Sequence, residues 1–379
     1  MLTEIFITPF ADMVAAPDFL MQVLWEGLVS GILYALIALG FVLIFRSSRI
    51  FNFAQGIMVV FAALTLVGLY AMGVPAWIAV GLTLVVMFIL AVSIERIVLR
   101  PLVGQPDIIL FMATIGITLF LIGLGEIIFG GENKVMITDE LGIPTDSLVL
   151  EPWGGLLILE QKDITAVVVA ALLVVALLAF LNKTRMGRAI RALGDDHQAA
   201  LSVGISLQQI WVLVWFIAGI IALVTGIAWG ARAGVSFALE VIAYKALPVL
   251  MLGGLESITG AIVGGLLIGM LEKLFEIYWG QPLLGGNTET WFAFVLALIV
   301  LLLGCGEEPG FRAASSTIVR GPGGQLWLTS PDDDAVVAID PESLEETARV
   351  EVEGAPEQLA FVGDALLVTL GQRAELAWI

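Results

Sequence analysis

Residues 23–45 read VLWEGLVSGILYALIALGFVLIF, a run in which Glu26 is the single charged side chain. The hydrocarbon core of a bilayer is about 30 Å thick, and an α-helix needs roughly 20 apolar residues to cross it. The stretch is long enough and apolar enough to predict a membrane-spanning helix.

The rest of the chain repeats this pattern. Hydrophobic residues make up 59% of its 379 positions, charged residues 14%, and the mean hydropathy is +1.02, beyond the usual values of a soluble domain. A segment at 241–254, with Lys245 and Pro248, either crosses at a tilt or is re-entrant. We predict an all-α polytopic membrane protein of about eight or nine transmembrane helices, with a small C-terminal β-rich appendage. The other candidate spans are 53–72, 74–95, 107–129, 163–181, 209–230, 257–276 and 288–303.

Basic residues follow alternate predicted spans and so predict the orientation of the chain. Loops rich in Lys and Arg are retained in the cytoplasm during membrane insertion. We therefore expect three basic loops to face the cytoplasm and the acidic 130–162 loop to face outward. The basic residues are Arg46 and Arg49, Arg96 and Arg100, and Lys183, Arg185, Arg188 and Arg191.

Several kinds of chemistry are excluded by composition. Cys305 and His197 are the only cysteine and the only histidine, so the sequence offers neither an internal disulfide nor a Cys/His metal site. No GxxxxGK[ST] loop occurs, so a partner must bind ATP and supply the energy. Most of the net charge of -18 comes from an acidic tail. We predict a non-catalytic chain with no metal, no cofactor of its own and no nucleic-acid partner.

The loop between the fifth and sixth predicted spans reads RMGRAIRALGDDHQAALSVG over 185–204. A short helix with small residues on one face can lie closely in a groove of a partner protein. We predict that this loop contacts a separate ATPase; the alternative is a basic loop whose charges only fix topology. The predicted coupling residues are Arg188, Arg191, Gly194, Asp196, Gln198, Ala199, Ala200 and Gly204.

The same loop resembles the EAA coupling motif of ABC importer permeases, with Gln198 where that motif usually carries Glu. Four other stretches are GILYALIALG (31–40), RIFNFAQG (49–56), ATIGIT (113–118) and MLGGLESITGAIVGG (251–265). Together, over about residues 20–303, these motifs resemble the LivH-type permease family of branched-chain amino acid ABC transporters.

The resemblance implies a multi-pass permease subunit in the bacterial inner membrane, surrounded by lipid, that carries branched-chain or related amino acids. It also implies a second homologous permease subunit, two cytoplasmic ATPase subunits that bind ATP and Mg²⁺, and a periplasmic substrate-binding protein. The alternative is an ion-coupled secondary transporter of small polar solutes. Such a carrier would place carboxylates near the middle of its spans, where this sequence has almost none. Glu126 and Glu256 lie near span ends.

Polar and small residues at the edge of the second predicted span and within the fourth are candidates for the translocation pathway. An amide beside a glycine can bind a polar group of a substrate, although such amides can equally satisfy a turn between helices. The family commonly has His where Gln55 stands, which puts a titratable role in doubt. The candidates are Asn52, Gln55, Gly56, Thr114 and Gly116.

Four glycines recur at helical spacing in the span at 257–276. Small residues at this spacing let the backbones of neighbouring helices approach closely. We therefore predict a tight helix contact formed by Gly260, Gly264, Gly265 and Gly269.

The C-terminal region has a different character. We predict two domains, a transmembrane permease domain at 1–304 and a fragment at 305–379. Residues 306–379 predict short strands and resemble fewer than two blades of a YVTN or NHL-like β-propeller, too few to close a ring. The stretch LLLGC at 301–305 reads as a rough lipobox, but lipidation of Cys305 would require cleavage from all preceding spans. A gene fusion and a sequence-assembly artefact would look identical here.

Overall fold

The computed structural model describes residues 7–49, 51–151, 155–195, 206–304 and most of 318–378. Within the last range the description omits 331–332, 342, 344, 353, 355, 363–364 and 371–374. The chain divides into two compact units, Met1–Leu303 and Gly304–Ile379, which are described separately.

The first unit is a helical bundle. Its helices, numbered along the chain, are α1 (Thr8–Ala15), α2 (Pro17–Ser48), α3 (Gln55–Ala71), α4 (Ala76–Ser93), α5 (Asp107–Phe129), α6 (Gln161–Lys183), α7 (Arg185–Asp195), α8 (Leu207–Ala233), α9 (Leu239–Tyr244), α10 (Ala246–Gly253), α11 (Ile258–Phe275), α12 (Gln281–Leu284) and α13 (Phe292–Gly304). A π-helical turn and a 3₁₀ turn extend α4 to Leu102, and a second π turn joins α11 to α12. The hairpin of β1 (Ser147–Leu150) and β2 (Leu157–Glu160) precedes α6.

The predicted all-α membrane fold is confirmed. Among the described residues, six helices are long and apolar enough to cross a membrane. The shorter apolar helices α3 and α13 and the divided segment α9–α10 add three further candidate segments among the described residues, which is roughly consistent with the predicted eight or nine. The most apolar window of α2 is 83% buried and that of α6 is 17% buried. The helix α2 is thus central, whereas α6 presents apolar side chains such as Leu172 to lipid.

The centre of the bundle is a tight antiparallel contact between α2 and α11. Gly31 lies against Gly265, and a Cβ atom added to Gly31 would be 2.7 Å from the Gly265 carbonyl oxygen. One turn further along, Gly27 lies against Gly269. Glycine is required at these positions because the two backbones leave no room for a side chain.

Side-chain contacts define two ends of the bundle. At one end Arg49 pairs with Glu256, and Glu95, Met186 and Gln208 line one cavity, which brings the turn after α4 and the starts of α7 and α8 together. This end carries the predicted cytoplasmic basic loops. At the opposite end the 130–160 segment is fastened to the bundle. Its contacts there are a bridge between Lys134 and Val235 and hydrogen bonds from Tyr70 to Glu140 (3.0 Å) and from the Ile158 amide to Gln22 (3.0 Å).

The short segment at 241–254 crosses the bundle and is not re-entrant. It starts from Val235 at the acidic end and reaches Glu256 at the basic end. It is divided into α9 and α10, of 6 and 8 residues, instead of forming one long helix. Neither helix is as long as a continuous span, which is why the apolar segment in the sequence seemed too short to cross.

The predicted β-rich appendage is confirmed in the second unit. The strands β3 (Ile318–Arg320), β4 (Leu326–Ser330), β5 (Ala335–Ile339) and β6 (Glu346–Glu351) form an antiparallel meander. A second sheet holds β7 (Pro356–Val362), β8 (Ala365–Leu370) and β9 (Glu375–Trp378). Apolar side chains join the two sheets, with Trp327 edge-on to Phe361 at 6.2 Å between ring centroids.

Candidate functional site: a buried ion pair at a helix break

The break between α9 and α10 follows from Pro248. Proline has no amide hydrogen, and its ring collides with the carbonyl four residues earlier, here that of Tyr244. The helix is interrupted at Lys245, one residue after that carbonyl. The break therefore places a lysine at the junction of two short helices.

Lys245 forms a buried ion pair with Glu272 of α11. The Lys245 ammonium donates to Glu272 Oε1 at 2.8 Å and to the Tyr34 hydroxyl at 3.2 Å, and Tyr34 donates to the same carboxylate at 3.0 Å. The side chain of Glu272 is 1% exposed and that of Lys245 is 12% exposed. Three elements of the bundle, α2, the α9–α10 break and α11, are thus joined by charge-assisted hydrogen bonds.

Aromatic and ionic contacts extend this cluster toward the acidic end. Trp229 of α8 stacks on Tyr34 with 5.7 Å between ring centroids. Arg232, one turn further, lies 5.8 Å from the Trp229 ring centroid and 3.7 Å from Asp163. Fifteen residues separate Tyr34 from Arg49 at the basic end, which is about 22 Å at 1.5 Å per residue. The cluster therefore lies within the apolar depth of the bundle.

Lys245 also borders a cleft of about 880 Å³ between α9 and the start of α13. One side of the cleft is apolar, with Val241, Ile242 and Phe294, and polar side chains surround the rest. Glu276 in its wall is fully engaged, because it accepts hydrogen bonds from the Thr288 hydroxyl and from the amides of residues 287–289. The other polar members are Tyr244, Asn287, Glu289 and Thr290.

The predicted pathway residues lie elsewhere, and the structure brings only some of them together. Asn52 is fully buried, and its side-chain oxygen accepts the Ala54 amide at 3.1 Å. The Thr114 hydroxyl accepts the Phe53 amide at 3.1 Å, and its proton is within hydrogen-bonding distance of the Phe111 carbonyl (2.8 Å) and the Phe51 carbonyl (3.2 Å). These contacts hold the turn that precedes α3.

The remaining three candidates are separated. Gln55 is fully buried and donates to the Ala218 carbonyl at 3.4 Å, and Gly56 packs against Ala243 of α9. Gly116 faces away from this group on the exposed side of α5. A pathway role for these residues stays a prediction.

The four glycines of α11 serve two contacts. Gly265 and Gly269 lie against α2, whereas Gly260 and Gly264 lie against Gly253 and Val249 of α10. The helix that carries Glu272 is thus held between α2 and the divided span.

The described part of the predicted coupling loop is the amphipathic helix α7. Gly187 and Ile190 are buried, Arg188 is exposed, and Arg191 donates to the Leu181 carbonyl at 3.0 Å. Gly194 lies in the last turn of α7. The predicted residues Asp196, Gln198, Ala199, Ala200 and Gly204 lie outside the described residues.

In the described part of the chain, several apolar spans, a buried ion pair and an amphipathic helix at the basic end are the features of a multi-pass membrane protein. A family model described as "Branched-chain amino acid transport system / permease component" matches residues 23–303, and the chain belongs to this family. It is a non-catalytic permease subunit of an ABC importer in the bacterial inner membrane, and it works with partner subunits that include a separate ATPase.

Relatives and one solved structure show how far the similarity extends. The permease BraD of Pseudomonas aeruginosa is 30% identical over 74% of this chain and 93% of its own length. The permease LivH of Escherichia coli is 28% identical over 75% of this chain and 94% of its own length. A chain of PsaBC from Streptococcus pneumoniae in complex with Fab superposes with a TM-score of 0.43 at 14% identity, covering 76% of this chain and 94% of that chain.

Sequence reasoning missed the central residues of the site. The expectation that span centres hold almost no carboxylates is wrong for Glu272, because α11 and its extensions run to Leu284 and not to residue 276. The pairing of Glu272 with Lys245 joins residues on two different spans, so hydropathy along the chain gives no sign of it. The one available signal was a lysine within an otherwise apolar segment.

Proposed function

We propose that this chain is the permease subunit of an importer for branched-chain or related amino acids. A second related permease completes the pore, two cytoplasmic ATPase subunits bind ATP and Mg²⁺, and a periplasmic binding protein delivers the substrate. The observation that carries this proposal is the family match over residues 23–303, supported by BraD and LivH, which are named as high-affinity branched-chain amino acid permeases.

The helix α7 supports coupling to an ATPase at the basic end. Its buried face, with Gly187, Ile190 and Leu193, packs on the bundle, while Arg188 and Ala192 face outward. A helix held in this way transmits a displacement of its outer face to α6 and α8, because packed helices move as rigid bodies. The outer face is therefore the proposed contact with the ATPase.

The test is a charge reversal on that face. In the complete transporter, Arg188→Glu should lower ATP-driven leucine uptake by about tenfold, because a basic contact becomes repulsive to the same partner surface. Basal ATP hydrolysis by the partner subunits should be less affected than uptake. Radiolabelled leucine uptake and phosphate release measure the two quantities.

The matched control is Arg100→Glu, which reverses an exposed charge at the same end of the bundle but outside α7. It should leave uptake and membrane abundance close to those of the unmodified protein. If both substitutions lower uptake equally, or if neither does, α7 is not the coupling helix.

A further inference from the structure

The cleft beside Lys245 combines an apolar lining with several charged and amide side chains. Charged and amide groups at membrane depth are stable only against other protein groups or against water. The carboxylate of Glu289 is 34% exposed, and Lys245 and Asn287 border the same space. We therefore expect water to enter the cleft in the assembled transporter.

The hydrogen bonding of Lys245 leaves it able to bind a ligand. An ammonium group has three donors and no acceptor. Among the described residues, two of these donors are used, by Glu272 and by Tyr34. Lys245 lines the cleft whereas Glu272 and Tyr34 do not, so the third donor is the one left for an anionic group that enters the cleft.

The remaining walls match the other parts of an aliphatic amino acid. Val241, Ile242 and Phe294 offer apolar contact for a branched side chain, and Glu289 offers a carboxylate for an ammonium group. Glu289 already pairs with Lys273 at 2.6 Å, but a carboxylate accepts more than one donor. A cleft of about 880 Å³ is also within the size range of small-molecule sites.

We propose that this cleft is the wall of the substrate pathway that this subunit contributes, and that Lys245 binds the α-carboxylate of an aliphatic α-amino acid in transit. The proposal rests on the proposed function and adds to it the residues that meet the substrate. Glu272 and Tyr34 are positioning residues, because they hold the ammonium group at the helix break.

Accessibility tests the cleft independently of transport. Val241→Cys and Leu172→Cys are matched, with native exposures of 61% and 64%, but Leu172 lies on the lipid-facing helix α6. In the assembled transporter with Cys305→Ser, a charged thiol reagent should modify Val241→Cys about tenfold faster than Leu172→Cys, because the thiolate reacts where water reaches it. L-leucine supplied with the binding protein should slow the reaction at Val241→Cys. Equal rates at the two positions, or no effect of leucine, would overturn the proposal.

A pair of substitutions tests whether Lys245 binds the substrate or only balances the buried charge of Glu272. Lys245→Gln should lower the maximal rate of leucine uptake by about tenfold, the loss of one ionic contact. The double variant Lys245→Gln with Glu272→Gln removes both charges, so no buried charge is left unpaired, and it should remain equally impaired. Glu272→Gln alone leaves the Lys245 ammonium group without its buried partner, so it should also lower uptake. Recovery of normal uptake in the double variant would mean that Lys245 has only a structural role.

Failure of the proposed function and failure of the cleft assignment would give different results. If the unmodified transporter does not take up leucine, the proposed function fails, whereas the contrast in labelling between Val241→Cys and Leu172→Cys is still measured. If uptake is normal but the two cysteines react alike, only the assignment of the cleft fails.

Discussion

At the residue scale, the bundle depends on positions where a side chain cannot fit. Gly265 is the clearest case, because an added Cβ would lie 2.7 Å from both the Gly31 carbonyl oxygen and the Ala35 Cβ. Backbone atoms cannot move aside in the way that a flexible side chain can. A substitution here must therefore separate α2 from α11.

Gly265→Ala should lower the stability of the bundle by about 1–3 kcal/mol through overpacking. Gly116→Ala is the matched control, since Gly116 is also helical but faces open space, and alanine there should be neutral or stabilising by up to about 1 kcal/mol. Thermal unfolding of the purified proteins in detergent compares the two. Equal shifts in Tm would contradict the close contact between α2 and α11.

The sequence predicted that the four glycines of α11 form a close helix contact, but not that they meet two different helices. Gly260, Gly264, Gly265 and Gly269 stand out because small residues at helical spacing are visible in a single segment. Which helix each glycine meets depends on the crossing of α11 with α2 and α10, and that is set by the whole bundle. The ion pair of Lys245 with Glu272 could not be predicted for the same reason, because its two residues lie on different helices.

At the element scale, the divided span α9–α10 is the feature that distinguishes this bundle from a set of continuous helices. Its division comes from Pro248, and it holds Lys245 at the junction. Hydropathy detected a short, interrupted segment at 241–254 but left open whether it crosses, because crossing is decided by contacts at its two ends. In the structure Val235 bridges to Lys134 at one end, and Glu256 pairs with Arg49 at the other.

Pro248→Ala should allow α9 and α10 to join, because an amide hydrogen becomes available to the Tyr244 carbonyl and the ring clash is removed. We expect the protein to remain as stable as before or to become more stable, while leucine uptake falls several-fold because Lys245 leaves its position. Pro75→Ala, before α4, is the control and should change neither property. Normal uptake with Pro248→Ala would show that the break is not required for transport.

At the scale of the whole molecule, the family match ends at residue 303, and the β-rich unit begins at Gly304. The described residues of that unit form a four-stranded and a three-stranded sheet, fewer strands than a closed propeller needs. Short strands were predicted for this region, and the structure contains them, for example at Ala335–Ile339 and Ala365–Leu370. Its origin cannot be read from strand patterns, because fused and native domains follow the same local rules.

A chain that stops after Leu303 and ends in a few added lysines should insert and transport leucine at close to the normal rate. The bundle unit contains every residue that the proposed mechanism uses, and an appended domain with its own core can be removed without unfolding its neighbour. Membrane abundance and uptake are measured together. If uptake is lost while abundance is normal, the C-terminal unit takes part in transport.

The central claim is that transport through this subunit is driven by ATP hydrolysis in partner proteins. The most direct measurement is uptake of radiolabelled L-leucine by proteoliposomes that contain this chain, its partner permease, the ATPases and the binding protein. Uptake should require ATP and Mg²⁺ on the ATPase side and should persist when sodium and proton gradients are abolished. Uptake that follows an ion gradient without ATP would contradict the account.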